Sequence, residues 1–125
     1  MSKSIQNNRL RAFNAQKGRC HYCACPIWLD DERAFALAWP QLTRKQRSQC
    51  RATAEHMQAK QDGGTNRRDN IVAACCYCNR SRHRRRRPLD DIHYRAFVRS
   101  RVARGKWPTM KWIGHRQRTA GYSPG

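Results

Sequence analysis

Between Ala54 and His83 the chain gathers a carboxylate beside an imidazole (Glu55-His56), the Gly63-Gly64 pair, the amides of Asn66, Asn70 and Asn79, a Cys75-x-x-Cys78 pair and a second imidazole, His83. These are residue types that move protons and hold metal ions, and thirty residues of plain scaffold have no need of so many. Spacing limits how they can meet. Neighbours on a regular strand point to opposite faces, so Glu55 and His56 serve one site only where the strand ends or bulges. Asn79 and His83, four apart, share one face of a helix.

Cys20 and Cys23 repeat the Cys-x-x-Cys spacing upstream. Together with Cys75 and Cys78 they supply four thiolates, which suit a closed tetrahedral Zn²⁺ site that contributes folding free energy to a small domain. Cys25 or Cys76 in place of a neighbour gives the same chemistry, and buried free thiols are the alternative without metal. On the four-thiolate reading Cys25, Cys50 and Cys76 are ordinary small residues. His21, His93 and His115 fit no role in the pattern.

The elements that must position these residues follow from periodicity and punctuation. Ile5, Leu10 and Phe13, with Gly18 as a C′ residue, predict a helix over 4–17. Pro26-Ile27-Trp28 reads as a short extended piece, Asp30-Asp31-Glu32 as a solvated turn, and AFALAW (34–39) as apolar mass. Pro40 is expected to open an exposed helix reaching about Cys50. Residues 51–57 and 71–74 read as strands joined by a long loop holding Gly63, Gly64 and Asn66. Residues 76–86 form a short helix dense in Arg and stopped by Pro88. The next spans about 89–104, with Asp90 and Asp91 in its first turn and Leu89, Ile92, Ala96 and Phe97 on one face. After Lys106, the residues Trp107, Trp112 and Ile113 are expected to wrap onto the body before the chain frays at RTAGYSPG.

Charge identifies the partner class. The chain holds 27 Lys and Arg against 8 Asp and Glu, a net charge of +19, and 21 of the 27 are Arg. A polyanion is the expected counterpart, because the guanidinium fork matches phosphate oxygens and unrelieved self-repulsion costs stability. Arg80, Arg82, Arg84, Arg85, Arg86 and Arg87 read as a phosphate-gripping helix face that supplies salt-sensitive, sequence-independent affinity. The odd cysteine count argues against a secreted disulfide framework. No stretch is long and apolar enough to span a bilayer. The amino-terminal segment runs straight into the first cysteine pair and is expected to remain uncleaved.

The ordered set Glu55-His56, Gly63-Gly64-Thr65-Asn66, Asp69-Asn70-Ile71-Val72 and Cys75-Cys76-Tyr77-Cys78-Asn79 resembles the HNH endonucleases. The ββα-metal motif of that family reads Asp/Glu-His, a Gly-rich loop, Asn before an apolar strand, and Cys-x-x-Cys-His/Asn. The likeness covers residues 18–84, including the Cys20/Cys23 pair that zinc-stapled members carry. Asn79 stands where His is commoner, and the stretch from Cys23 to Glu55 is long for the pattern.

The resemblance implies an α+β fold: a small ββα-metal (HNH) core with a structural four-cysteine zinc site and flanking helices. One nuclease domain would span 1–105, with its motif core at 18–84, an insertion at about 25–50 and a C-terminal helix at about 89–104, followed by a basic and aromatic tail at 106–125. His56 would be the general base. Glu55 and Asn79 would hold a catalytic Mg²⁺ or Mn²⁺, other divalent ions remaining open, with His83 a third ligand or a phosphate contact, and Asn70 would orient His56 or brace the loop. The implied activity is phosphodiester hydrolysis in DNA, as nicking or double-strand cleavage, leaving a 5′-phosphate and a 3′-hydroxyl. The implied setting is duplex DNA, a monomer or homodimer, and the cytoplasm of a bacterial or phage-infected cell. A reading from another class, a non-catalytic zinc-stabilised nucleic-acid-binding protein, needs only the cysteines and arginines. It has no use for Glu55-His56.

Overall fold

A two-stranded antiparallel sheet lies at the centre of the computed structural model, which describes residues 1–114. Strand β1 (Ala52–His56) pairs with β2 (Ile71–Cys75), placing Glu55 opposite Val72 and His56 opposite Ile71. Alanines at 52, 54, 73 and 74 keep the sheet thin, so helices approach it closely. Helix α1 (Lys3–Ala15) packs on it, capped by Ser2, whose hydroxyl accepts from the Ile5 amide at 3.2 Å. Gln16 then uses its side-chain amide as a substitute strand: it donates to the Ala73 carbonyl at 2.8 Å and accepts from the Ala73 amide at 2.9 Å. That contact satisfies backbone groups which an open edge would leave unpaired. The left-handed turn after α1 begins at Lys17 (φ 56°), one residue before the expected Gly18. Of the expected apolar face only Phe13 is buried, while Leu10 is 46% exposed.

Residues 25–50, expected as an insertion of no assigned role, build a large part of the core. Ile27, Trp28, Phe35, Trp39 and Leu42 are all buried there, each worth about 1.5–3 kcal/mol of apolar transfer. Trp28 carries the extended piece alongside β1, its carbonyl accepting from the Ala52 amide at 2.7 Å. Helix α2 (Glu32–Ala38) starts at Asp31, whose carboxylate accepts from the Ala34 amide at 2.9 Å. The acidic turn is therefore an N-cap. Helix α3 (Arg44–Gln49) opens at Thr43, not at Pro40, because a capping box provides the orphan amides there with partners: Thr43 Oγ1 accepts from the Gln46 amide and Gln46 Oε1 from the Thr43 amide.

Helix α4 (Cys76–Arg84) follows β2 directly, and α5 (Asp91–Ala103) starts at Asp90, which caps the His93 amide at 2.8 Å instead of lying in the first turn. The inward face of α5 is Tyr94 and Val98, with Phe97 partly covered, whereas Ile92 is 73% exposed. Tyr94 sets that phase, since its hydroxyl donates to the Cys78 carbonyl at 2.8 Å and its ring meets Tyr22 edge-on at 4.8 Å. Helix α6 (Pro108–Ile113) carries buried Thr109 and Ile113 behind buried Trp107, so the chain after Lys106 packs onto the body as far as Ile113. His115 and the RTAGYSPG segment lie outside the described residues. No helix among the described residues is long and apolar enough to cross a membrane.

Candidate active site and metal knuckles

The Sγ atoms of Cys20, Cys23, Cys75 and Cys78 lie within 4.8 Å of one another, and all four residues are buried. Cys23 and Cys75 sulfurs are 3.9 Å apart. A tetrahedron with metal–sulfur bonds of about 2.3 Å has edges of about 3.8 Å, so the set fits a metal ion such as zinc. The surroundings favour thiolates: Cys20 accepts from the Tyr22 and Cys75 amides, Cys75 from the Cys78 amide, and Cys23 from the Thr109 hydroxyl at 3.2 Å. Burial works against ionisation throughout. Hydrogen bonds among the sulfurs nevertheless hold Cys20 well below the ordinary thiol range and Cys23 at about 6, while burial and the same neighbours push Cys75 and Cys78 up. Cys25 stands beside the group, pushed well above its ordinary value by hydrogen bonding first to Cys20, then to Cys23, Cys50 and Cys75.

A cleft of about 670 Å³ opens next to this knot, lined by Glu55, His56, Asn79, His83, Arg85 and Arg86 among others. Glu55 faces α4 with its carboxylate 2% exposed and fully engaged. Tyr22 Oη donates to Oε2 at 3.0 Å, Arg82 donates to the same oxygen at 2.9 Å, and His83 Nε2 donates to Oε1 at 3.0 Å. Beside Glu55, the buried Tyr22 phenol is pushed far above its usual value, by burial first and then by the carboxylate. It stays a proton donor.

His56 is the last residue of β1, and the ending of the strand brings it to the same cleft as Glu55. Its Nε2 lies 2.8 Å from Asn66 Oδ1. An amide oxygen only accepts, so Nε2 carries a proton, and in the neutral ring Nδ1 keeps its lone pair, with no protein hydrogen-bond partner among the described residues. Asn66 is fixed in turn by α1, where Asn8 donates to its carbonyl at 2.9 Å. The Asn70 side chain makes no hydrogen bond to His56. Of its two expected roles it takes the bracing one: its amide donates to the carbonyls of Gln58 (3.0 Å) and Thr65 (2.8 Å) and accepts from the Gln58 amide (2.8 Å). The same loop requires Gly64, where a Cβ would lie 1.7 Å from the Gln58 carbonyl oxygen.

Asn79 donates to Thr53 Oγ1 at 2.9 Å, which leaves its Oδ1 available at the cleft. Glu55, Asn79 and His83 thus all line the one cleft, with His83 Nε2 and Glu55 Oε1 in direct contact. An ion there would replace the His83–Glu55 hydrogen bond and need the His83 proton on Nδ1. Oxygen donors with one imidazole suit a hard to borderline divalent cation.

Arg82 departs from the expected phosphate-gripping face. It is 3% exposed and donates to Glu55, to the Tyr22 hydroxyl and to the carbonyls of His56 (3.1 Å), Met57 (2.9 Å) and Leu89 (3.0 Å). Burial is the largest influence and opposes its charge, but the hydrogen bond to Glu55 together with the fields of Tyr22, Glu55 and Asp91 outweighs it and raises its pKa. The other five, Arg80, Arg84, Arg85, Arg86 and Arg87, are exposed, with Arg85 lying 4.5 Å over the Phe97 ring. Tyr22 and Asn66 were not assigned from the sequence. Their signals are an aromatic residue inside a Cys-x-x-Cys turn and an amide in the Gly-rich loop.

No curated protein and no solved structure matches the chain. A family comparison does give a match, and its span opens at the α3 cap, crosses both strands with the intervening loop, and closes just after α4. It therefore holds Glu55, His56, Asn79, His83 and two of the four cysteines. A mixed helical fold with one antiparallel hairpin and a four-cysteine cluster agrees with a small ββα nuclease architecture. The family model that the chain matches, over residues 43–85, is that of the HNH endonucleases, which supports nuclease-type action on nucleic acid.

Proposed function

We propose that the protein is a metal-dependent DNA endonuclease in which His56 acts as general base on an attacking water, and that it works on duplex DNA by nicking or double-strand cleavage. The observation that carries this is the His56–Asn66 hydrogen bond at 2.8 Å: it fixes the tautomer in which Nδ1 can accept a proton, at a cleft shared with Glu55, Asn79 and His83. Nδ1 takes the water proton as the oxygen bonds to phosphorus, and Asn66 supports the imidazolium that forms. The P–O3′ bond breaks and O3′ takes a proton from solvent, leaving a 5′-phosphate and a 3′-hydroxyl. Arg85 and Arg86 at the cleft offset charge on the phosphate oxygens. Glu55, Asn79 and His83 would hold Mg²⁺ or Mn²⁺, which when bound supplies Lewis-acid stabilisation of the same charge. Zn²⁺ in the four-cysteine knot is assigned a structural role. Reduced thiols fit the cytoplasm of a bacterial or phage-infected cell, and one such cleft cuts one strand, so a double-strand break takes a homodimer or two successive nicks.

The full engagement of both Glu55 oxygens favours a second reading, a zinc-stabilised nucleic-acid binder without chemistry. Plasmid nicking with Mg²⁺ or Mn²⁺, wild type beside His56→Ala, separates the two. The expected loss on substitution is about 10²–10⁴-fold. Equal cutting by both proteins would remove His56 from the reaction, and no cutting with any divalent ion would leave the binder.

A further inference from the structure

A second hollow, of about 430 Å³, lies between α3, α4 and α6. Tyr77, Arg80 and Arg84 contribute to it from α4. Counting 100° per residue, they occupy a different face of that helix from Asn79 and His83. The hollow combines two kinds of surface. Tyr77 and Trp112 bring aromatic rings whose centroids are 6.1 Å apart at 78°. Lys45, Arg80 and Arg84 bring positive charge, and none of the three has an acidic partner among the described residues. Gln49 adds an amide from α3.

That pairing discriminates among ligands. Phosphate alone has no use for two aromatic rings, and an apolar molecule has no use for three unpaired cations. Bases stacked inside a duplex present no face to a protein ring, whereas an unpaired base offers a face for stacking, an edge for an amide and a phosphate for guanidinium. The volume falls in the range of sites that enclose a small organic group. We propose that this hollow receives one unpaired nucleotide of a strand passing over α4, and that the preferred substrate is DNA with a single-stranded extension or extrahelical base beside the cleft. The inference deepens the nuclease reading and rests on it for the identity of the strand.

The test measures binding without cleavage. Zinc-loaded His56→Ala protein is titrated, by fluorescence anisotropy, into a labelled blunt duplex and into the same duplex carrying a short single-stranded extension. The extended duplex is expected to bind about tenfold more tightly, in line with stacking of one base on an aromatic side chain. Adding Trp112→Leu should erase that preference while blunt-duplex affinity stays within about twofold. Because Trp112 adjoins the core residue Ile113, a pair of α3 substitutions, Lys45→Gln with Gln49→Ala, serves where Trp112→Leu does not fold, and should reduce the preference about threefold or more. Equal affinity for the two duplexes overturns the proposal, as does a preference unchanged in whichever of these variants folds. A protein that shows the preference but never cuts refutes the nuclease reading alone; one that cuts yet binds both duplexes alike refutes this inference alone.

Discussion

Replacing Arg82 with Met tests how the Glu55 side of the cleft is held. The substitution keeps most of the volume and removes the cation that donates to Glu55, Tyr22 and three backbone carbonyls. Hydrogen bonds to a charged group are worth about 1.5–3 kcal/mol each, but five of them do not add, since the guanidinium lost its hydration on burial. Breaking a buried pair from one side costs about 3–5 kcal/mol, because the remaining charge is stranded. With a urea slope of about 2 kcal/mol/M, the unfolding midpoint of the zinc-loaded protein should fall by about 2 M. Arg84→Ala, exposed on the same helix, should move it by about 0.3 M or less. Glu55→Gln in the Arg82→Met background should recover part of the loss, since no stranded carboxylate remains. A midpoint for Arg82→Met near that of Arg84→Ala, together with a reduced salt dependence of DNA binding, would refute the structural role and return Arg82 to the phosphate-gripping face.

The remaining predictions concern the proposed base and the four-cysteine knot. Asn66→Ala should slow plasmid nicking about tenfold, the equivalent of one lost hydrogen bond of about 1.4 kcal/mol in the transition state; nicking at the wild-type rate would separate Asn66 from His56. Asn70→Ala should act differently, by loosening the 57–70 loop, and hydrogen exchange at the Gln58 amide should rise with it. Thr109→Val removes the hydroxyl that donates to Cys23 and should weaken zinc retention against a competing chelator about tenfold, with no change meaning that this bond is idle. The Cys20→Ser/Cys23→Ser double variant should bind no zinc and fail to fold; loss of the metal with folding retained would remove the knot from the stability of the domain.

Local signals carried much of the fold. The hairpin, the α4 stop before Pro88 and the Cys-x-x-Cys pairs all depend on residues within a few positions of one another, which is where Gly, Pro and spacing act. What stayed illegible depends on burial across the chain. Residues 25–50 look like an insertion because their apolar groups share no clean period, yet Trp28, Phe35 and Trp39 are all buried in the one core cluster. Arg82 sits in a run of arginines where composition gives every member the same meaning. Its distinguishing mark is phase: it is four residues after Cys78, so it shares the inward face of α4 with a buried thiol. Ile92 failed as a core residue for the same kind of reason, since the Tyr94 anchor and the Asp90 cap rotate α5 away from the face that apolar counting favours.

The position of α4 shows how a metal held by the four cysteines would, on the proposed function, control a cleft it does not touch. Nine residues are too few for a helix to persist in water on propensity alone. Its start is defined by Cys75, the N-cap whose sulfur accepts from the Cys78 amide and which also belongs to the four-sulfur group. Its second turn then delivers Arg82 and His83 to Glu55, while Tyr22, from inside the other knuckle, reaches the same carboxylate. Both knuckles therefore end on Glu55, one through a phenol and one through a helix. A metal that ties Cys20 and Cys23 to Cys75 and Cys78 fixes the distance between those two arms. Without it, the buried carboxylate would lose its donors from both sides at once, and the geometry of the cleft would go with them.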